Sequence, residues 1–404
     1  MLWRRSRRWL LIAVAGLVAL VAAAVVAVVV FANSTNPLDP DEFYAAPFPL
    51  PSGPPGTVIR TEELEQAPEG SKGWKVLYLS RSYTGEPTAV SGLLFVPDSP
   101  APAGGRGVVA FTHGTIGVAS HCARSNLGAR YYPAIDGLSQ FLRAGDVVVA
   151  PDYQGLGTRG PHPYLVGESE AWAALDAVRA AGMFEPADAG RRFAVLGASQ
   201  GGQAALFTGQ EAASYAPELA LVGVAAAAPA TDLKTLFEVN RNGTFGRILS
   251  AYTIDTWSRV YPELRIEQLV TRPARPVVRQ IANTCIALDR NATIAAAVVS
   301  QALRISYLHT LPWETEPWGS LIAENSPGNR KIGAPVLITQ GEADRLILPS
   351  VTKAYVQHLC RQGETVDYRT YPGVDHVHAG PETAADVAKW ITDRFAGMPP
   401  PNTC

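Results

Sequence analysis

From about Lys75 to Gly373 the chain alternates short apolar runs with longer amphipathic ones, and this alternation narrows its possible folds more than any other feature. "WKVLYLS", "GLLFVPD", "GVVAFTHG", "DVVVAPDY", "RFAVLGAS", "LVGVAAAAP", "APVLITQGE" and "VDYRTYPG" read as strands. Several are apolar throughout, as strands covered on both faces are. Between them, "ESEAWAALDAVRAA" (Glu168 to Ala181) and "QGGQAALFTGQEAA" (Gln200 to Ala213) carry helical spacing. Strand and helix in alternation predict βαβ units and an α/β fold with a mostly parallel central sheet. The sequence contains no internal repeat.

With 404 residues, the chain has room for one large domain with an insertion, or for two domains. Its 47% hydrophobic and 17% charged residues, with 36 Gly and 32 Pro, fit a loop-rich globular protein with a sizeable core. The formal net charge of −2 supplies no basic field for a phosphate backbone, so nucleic acid is not an expected partner. Oligomeric state leaves no signal in the sequence.

The N-terminus does not belong to this pattern. "RRSRR" (Arg4 to Arg8) precedes an uncharged run from Trp9 to Ala32. As a helix rising about 1.5 Å per residue, that run spans a bilayer core of roughly 30 Å. Residues 1–32 are therefore expected to be a membrane anchor, or a signal peptide, that leaves the rest of the chain outside the cytoplasm. Residues 33–70 begin with a proline-rich stretch and are expected to form a tether or surface-wrapping arm. The four cysteines, Cys122, Cys285, Cys360 and Cys404, are widely spaced in an exported chain and predict two disulfides. No CxxC pattern or Cys/His cluster calls for a metal.

"FAVLGASQGG" (Phe193 to Gly202) places Ser199 where a strand turns into a helix, and "GASQG" is a G-x-S-x-G pattern in the context that gives it meaning. Gly197 and Gly201 leave room for a sharp turn, and the helix N-terminus behind Ser199 favours developing negative charge. A serine hydroxyl is a poor nucleophile until a base takes its proton, so an acid and a histidine are needed downstream. Asp344 lies just beyond the strand in "APVLITQGEAD", with Glu342 and Asp375 as rival acids. His376 lies just beyond the strand in "VDYRTYPGVDH". Of the seven histidines, His378 shares that loop, and His376 is the expected base.

An oxyanion in the transition state needs aimed donors. The backbone N–H of Gln200 is one candidate. Thr115, in "FTHGTIG" after the third apolar run, offers a second through its N–H, with its hydroxyl beside it. "DYQGLGT" (Asp152 to Thr158) reads as a structural turn near the same sheet edge.

Taken in order, "FTHGTIGVASHCARS", "VVAPDYQGLGT" with its "LDAVRAA" helix, "GASQGG", "QGEAD" and "YPGVDH" resemble the secretory lipase family, the α/β-hydrolases related to fungal lipase A. The resemblance runs from about residue 40 to the end of the chain. It implies an α/β-hydrolase fold, a triad of Ser199, Asp344 and His376, and an oxyanion hole from Gln200 and Thr115. It also implies disulfides Cys122–Cys285 and Cys360–Cys404. Fungal members can carry an acid at the position matched to Thr115, and the family is normally secreted free; this chain departs from both.

About a hundred residues with helical patterning separate the strands ending near Ala228 and starting at Ala334, far more than a connection needs. The expected layout is a hydrolase core over residues 71–229 and 331–404, with a helical lid over 230–330. Trp257, Trp313 and Trp318 are expected to glue that insertion to the core. The expected activity is hydrolysis of carboxylic esters, on lipid or small-molecule substrates and without cofactor or metal. A serine peptidase of the same fold and a non-catalytic binding module are the alternatives.

Overall fold

The computed structural model describes residues 42–286, 290–304 and 306–404. The expected anchor or signal, residues 1–32, lies outside them. Among the described residues no helix is long and apolar enough to cross a membrane.

The described chain forms a nine-stranded sheet: β1 (Val58–Glu63), β2 (Ser71–Arg81), β3 (Pro87–Pro97), β4 (Arg106–Thr112), β5 (Val147–Pro151), β6 (Ala189–Ala198), β7 (Ala220–Ala227), β8 (Val336–Gly341) and β9 (Val366–Tyr371). Their order is β1-β2-β3-β5-β4-β6-β7-β8-β9. β1, β2 and β3 pair antiparallel, β3 meets β5 antiparallel, and β5 through β9 run parallel. All residues of β5 and β8 are buried, which is why their sequences carry no polar alternation. β1 differs from expectation. It lies inside the predicted arm, and its four exposed residues, Arg60 to Glu63, look like loop rather than strand because it has a solvent-facing edge.

The helices are α1 (Leu138–Ala144), α2 (Gly167–Met183), α3 (Gln200–Tyr215), α4 (Leu233–Asn240), α5 (Thr244–Val260), α6 (Arg275–Ala282), α7 (Arg290–Ser300), α8 (Trp318–Glu324), α9 (Pro349–Arg361) and α10 (Ala379–Phe395). α2 and α3 pack on one face of the sheet, against Val108, Val149 and Val195 of its central strands. α1 and α10 cover the other, against Val109, Val148 and Leu196. Successive residues of one strand thus serve two cores.

Helices α4 to α8 connect β7 to β8 and share a separate apolar cluster with Val118, Tyr164, Leu165 and Val166 of the core. Trp257 and Trp318 are fully buried there and stack nearly parallel, 6.3 Å between ring centres. Each indole N–H has a partner: Trp257 donates to the Tyr164 carbonyl at 2.7 Å, and Trp318 to Gln268 Oε1 at 2.9 Å. Both tryptophans act as packing and fastening groups.

Two disulfides complete the frame. Cys122–Cys285 ties the loop after β4 to the end of α6, and Cys360–Cys404 ties α9 to the C-terminus. His121 lies close to the first pair, but both sulfurs are bonded to each other and offer no thiolate to a metal.

Candidate active site

The site is built on the C-terminal ends of β4, β6, β8 and β9. β6 runs into α3 through Ser199, whose φ of 60° and ψ of −119° are unusual for a residue with a side chain. Such a backbone costs roughly 1–3 kcal/mol and persists only where its surroundings fix it. Here they do. The Ser199 N–H donates to the Ala227 carbonyl at 2.9 Å, and its carbonyl accepts from Gln203 N at 3.0 Å and Ala230 N at 3.2 Å. The flanking glycines are required by space: a Cβ on Gly197 would stand 2.4 Å from the Thr112 carbonyl oxygen, and one on Gly201 only 2.0 Å from the same atom.

The loops after β8 and β9 bring the other two predicted residues to Ser199. They are tied to each other, with Ala343 N donating to the Val374 carbonyl at 3.0 Å and Glu342 N to the Tyr371 carbonyl at 2.9 Å. Ser199 Oγ lies 2.9 Å from His376 Nε2, and His376 Nδ1 lies 2.8 Å from Asp344 Oδ2. A carboxylate facing Nδ1 holds the proton there and leaves Nε2 as an acceptor for the serine O–H. Asp344 is itself fixed: Oδ1 accepts from Leu346 N at 2.8 Å and Ile347 N at 2.9 Å, while Gln340 donates to Oδ2 at 3.3 Å.

The rival groups are engaged elsewhere. Glu342 accepts from Thr370, and Asp375 accepts from the exposed His378 at 2.6 Å. Burial, with Arg124 nearby, pushes His113 down to about 3, and burial pushes His162 down to about 4, so both rings are neutral near neutral pH. Asp152 is a turn anchor, accepting from Ser91 Oγ and from the N–H and hydroxyl of Ser125.

Gln200 is the first residue of α3, so its N–H has no acceptor within the helix. Thr115 lies close by: a Cβ on the preceding Gly114 would stand 3.9 Å from Ser199 Cβ. Its hydroxyl pairs with the Tyr164 hydroxyl at 2.8 Å. Because Tyr164 also receives the Trp257 indole N–H, this pairing links the loop after β4 to the insertion.

Sequence reasoning missed Glu170. Fully buried on α2, it accepts from Gln200 Nε2 at 2.7 Å and Leu165 N at 3.1 Å through one oxygen, while the other has no partner. Burial pushes its carboxyl up to about 8, opposed by those two donors. The available signal was an acid on the alanine-rich face of "ESEAWAALDAVRAA" that packs inward.

The family model described as secretory lipase matches residues 135–403, a span that contains Ser199, Asp344 and His376. The chain belongs to the secretory lipase family. Among relatives of this secretory lipase chain, the "probable inactive lipase" of Mycobacterium tuberculosis is 27% identical over 395 residues, covering 91% of this chain and 85% of that one. A secreted triacylglycerol lipase of Malassezia globosa is 25% identical over 395 residues, covering 90% and 81%. In fold, it is similar to lipase A of Candida antarctica, with TM-score 0.77, 20% identity and coverage of 91% and 88%. It is also similar to the rice cell wall degrading esterase LipA of Xanthomonas oryzae, with TM-score 0.68, 20% identity and coverage of 85% and 99%. The α/β-hydrolase fold expected from the sequence is therefore the fold observed.

Glu170 makes stability at this site depend on pH. Its ordinary value is 4.5 and its folded value about 8, so between them the folded chain keeps a proton that the unfolded chain has lost. Stability should fall as pH rises through that window, with a slope approaching about 1.4 kcal/mol per pH unit from this group. Glu170→Gln keeps an acceptor for Gln200 and Leu165 without a titrating proton, and should flatten this component of the profile. Thermal midpoints measured from about pH 6 to about pH 9 test it; parallel profiles for the two proteins would contradict the assignment.

Proposed function

We propose that this chain is a serine hydrolase of carboxylic esters, acting on lipid or acylglycerol esters through Ser199, His376 and Asp344. The observation that carries the reading is the hydrogen-bonded row from Ser199 Oγ through both His376 nitrogens to a buried Asp344. In this mechanism Ser199 attacks the ester carbonyl as His376 takes its proton at Nε2. Asp344 holds the imidazole in the required tautomer and stabilises its charged form. The N–H groups of Gln200 and Thr115 receive the oxyanion. Collapse of the tetrahedral species expels the alcohol, which takes the proton back from His376. Water, activated by the same histidine, then releases the acid from Ser199 and restores the starting state.

Membership of the secretory lipase family and the two disulfides support an extracytoplasmic location. The lid role of α4 to α8 is part of the same proposal, and the Thr115–Tyr164–Trp257 contacts support it by joining insertion and site.

The name of the Mycobacterium tuberculosis relative favours one competing reading, a chain that has kept the fold without the activity. A fluorophosphonate probe separates the two. It is expected to label Ser199, and His376→Ala is expected to abolish labelling; failure of the folded wild type to label would support the inactive reading. An acyl-length series of p-nitrophenyl esters, run beside aminoacyl p-nitroanilides, tests ester over peptide chemistry. Hydrolysis of the anilides alone would overturn the esterase assignment.

A further inference from the structure

A cleft of about 670 Å³ lies where two core loops meet α5 and α6, and none of Ser199, Asp344 and His376 lines it. Its guanidinium groups come from three places: Arg159 on the loop after β5, Arg259 near the end of α5 and Arg279 on α6. One acid, Asp255, faces them and is already bonded to Arg259. Among the described residues the guanidinium groups of Arg159 and Arg279 have no hydrogen bond and no ion pair within 4.0 Å, and Arg279 feels Asp255 only as a nearby charge. The hydroxyl of Thr158, next to Arg159, also has no partner although the residue is only 3% exposed.

Three guanidinium groups against one carboxylate leave a surplus of positive charge, and the walls of a cleft concentrate its field. Guanidinium forks match the oxygens of a phosphate, and a hydroxyl adds a further donor. A dianion suits this surplus better than a carboxylate does. Walls carrying Ser120, His121, Thr158 and Asn283 among the arginines are too polar to form an acyl-chain pocket. We infer that this cleft is a second binding site, for a phosphate ester, in which Arg159, Arg259 and Arg279 hold the phosphate oxygens and Thr158 donates its hydroxyl. The ester is either a free small molecule or the headgroup of a phospholipid.

The test uses the full chain in detergent. One arm titrates it with sn-glycerol 3-phosphate by calorimetry, and the other follows its binding to mixed micelles of phosphatidylcholine with and without phosphatidic acid. Saturable binding is expected in at least one arm, weakened by at least roughly tenfold in the Arg159→Gln/Arg279→Gln double variant. Arg159→Lys/Arg279→Lys should retain part of the binding, and Thr158→Val should weaken it by a smaller factor. Binding of glycerol 3-phosphate assigns a free ester; a response to phosphatidic acid alone assigns a headgroup. Both arginines are exposed, so the variants should fold, and Thr158→Val with the lysine pair carries the comparison if the glutamine pair melts early. No saturable binding in either arm, or equal binding by wild type and all variants, would overturn the inference. The readout is independent of ester hydrolysis, so it stands or falls apart from the reading of Ser199.

Discussion

Ser199→Ala should lower kcat for ester hydrolysis by roughly ten-thousand- to million-fold, with KM nearly unchanged. In the proposed mechanism, removing the oxygen removes the acyl-enzyme route altogether, whereas the N–H groups of Gln200 and Thr115 would still be in place to bind an oxyanion formed by attack of water. A residual rate above the uncatalysed one is therefore expected. Thermal stability should change little, because the hydroxyl makes a single partly buried hydrogen bond, to His376, and alanine is no larger than serine. Single-turnover and steady-state kinetics on one p-nitrophenyl ester, with thermal melts of the same preparations, make the measurement. A variant that keeps more than about a tenth of the wild-type rate would remove Ser199 from the mechanism.

The residues of that row were legible because each follows a strand that announces itself. β6 carries the apolar run Phe193 to Leu196, β8 and β9 are rich in β-branched or aromatic residues, and the serine, acid and histidine lie within a few residues of their ends in the order this sheet requires. The sequence favoured His376 over His378, and the structure adds what separates them. Both histidines sit in one loop, and only the coordinates show His378 turned to Asp375. β1 escaped notice because a two-neighbour alternation is not imposed on an edge strand whose residues mostly face water. Glu170 was hidden for another reason. Helical spacing marks its face as buried, but nothing local shows that the buried partner is the side chain of Gln200, thirty positions along the chain.

The family comparison divides along the same line. The matched span, residues 135–403, contains Ser199, Asp344 and His376, while Thr115 and Cys122 precede it. Those two residues lie on the loop after β4, which Tyr164, Trp257 and Cys285 connect to the insertion. The loop proposed to offer the second oxyanion donor is therefore fastened both to the core, through His113 and Asp152, and to the insertion, through Cys285 and Ile286. A shift of the insertion would reach that donor through Tyr164 before it reached the well-anchored Ser199.

Gly201→Ala should be the most damaging small substitution near the site. The added methyl would stand 2.0 Å from the Thr112 carbonyl oxygen and 2.8 Å from the His113 carbonyl carbon, both backbone atoms of a strand end and its loop. No rotamer relieves an alanine. α3 would have to move off β4, carrying the Gln200 N–H with it and straining the bonds that hold Ser199 at positive φ. Overpacking of this kind costs about 1–3 kcal/mol or more. Displacing a positioned group by an ångström costs roughly a hundredfold in rate, so kcat/KM should fall at least that far even where the chain still folds. Gly182→Ala supplies the control. It lies within α2 with nothing within 4 Å of the added methyl, and should leave activity intact while stabilising by up to about 1 kcal/mol. Melting curves and ester kinetics on both variants decide the matter: if Gly201→Ala matches Gly182→Ala in stability and rate, the close approach of α3 to β4 does not set the geometry of Ser199.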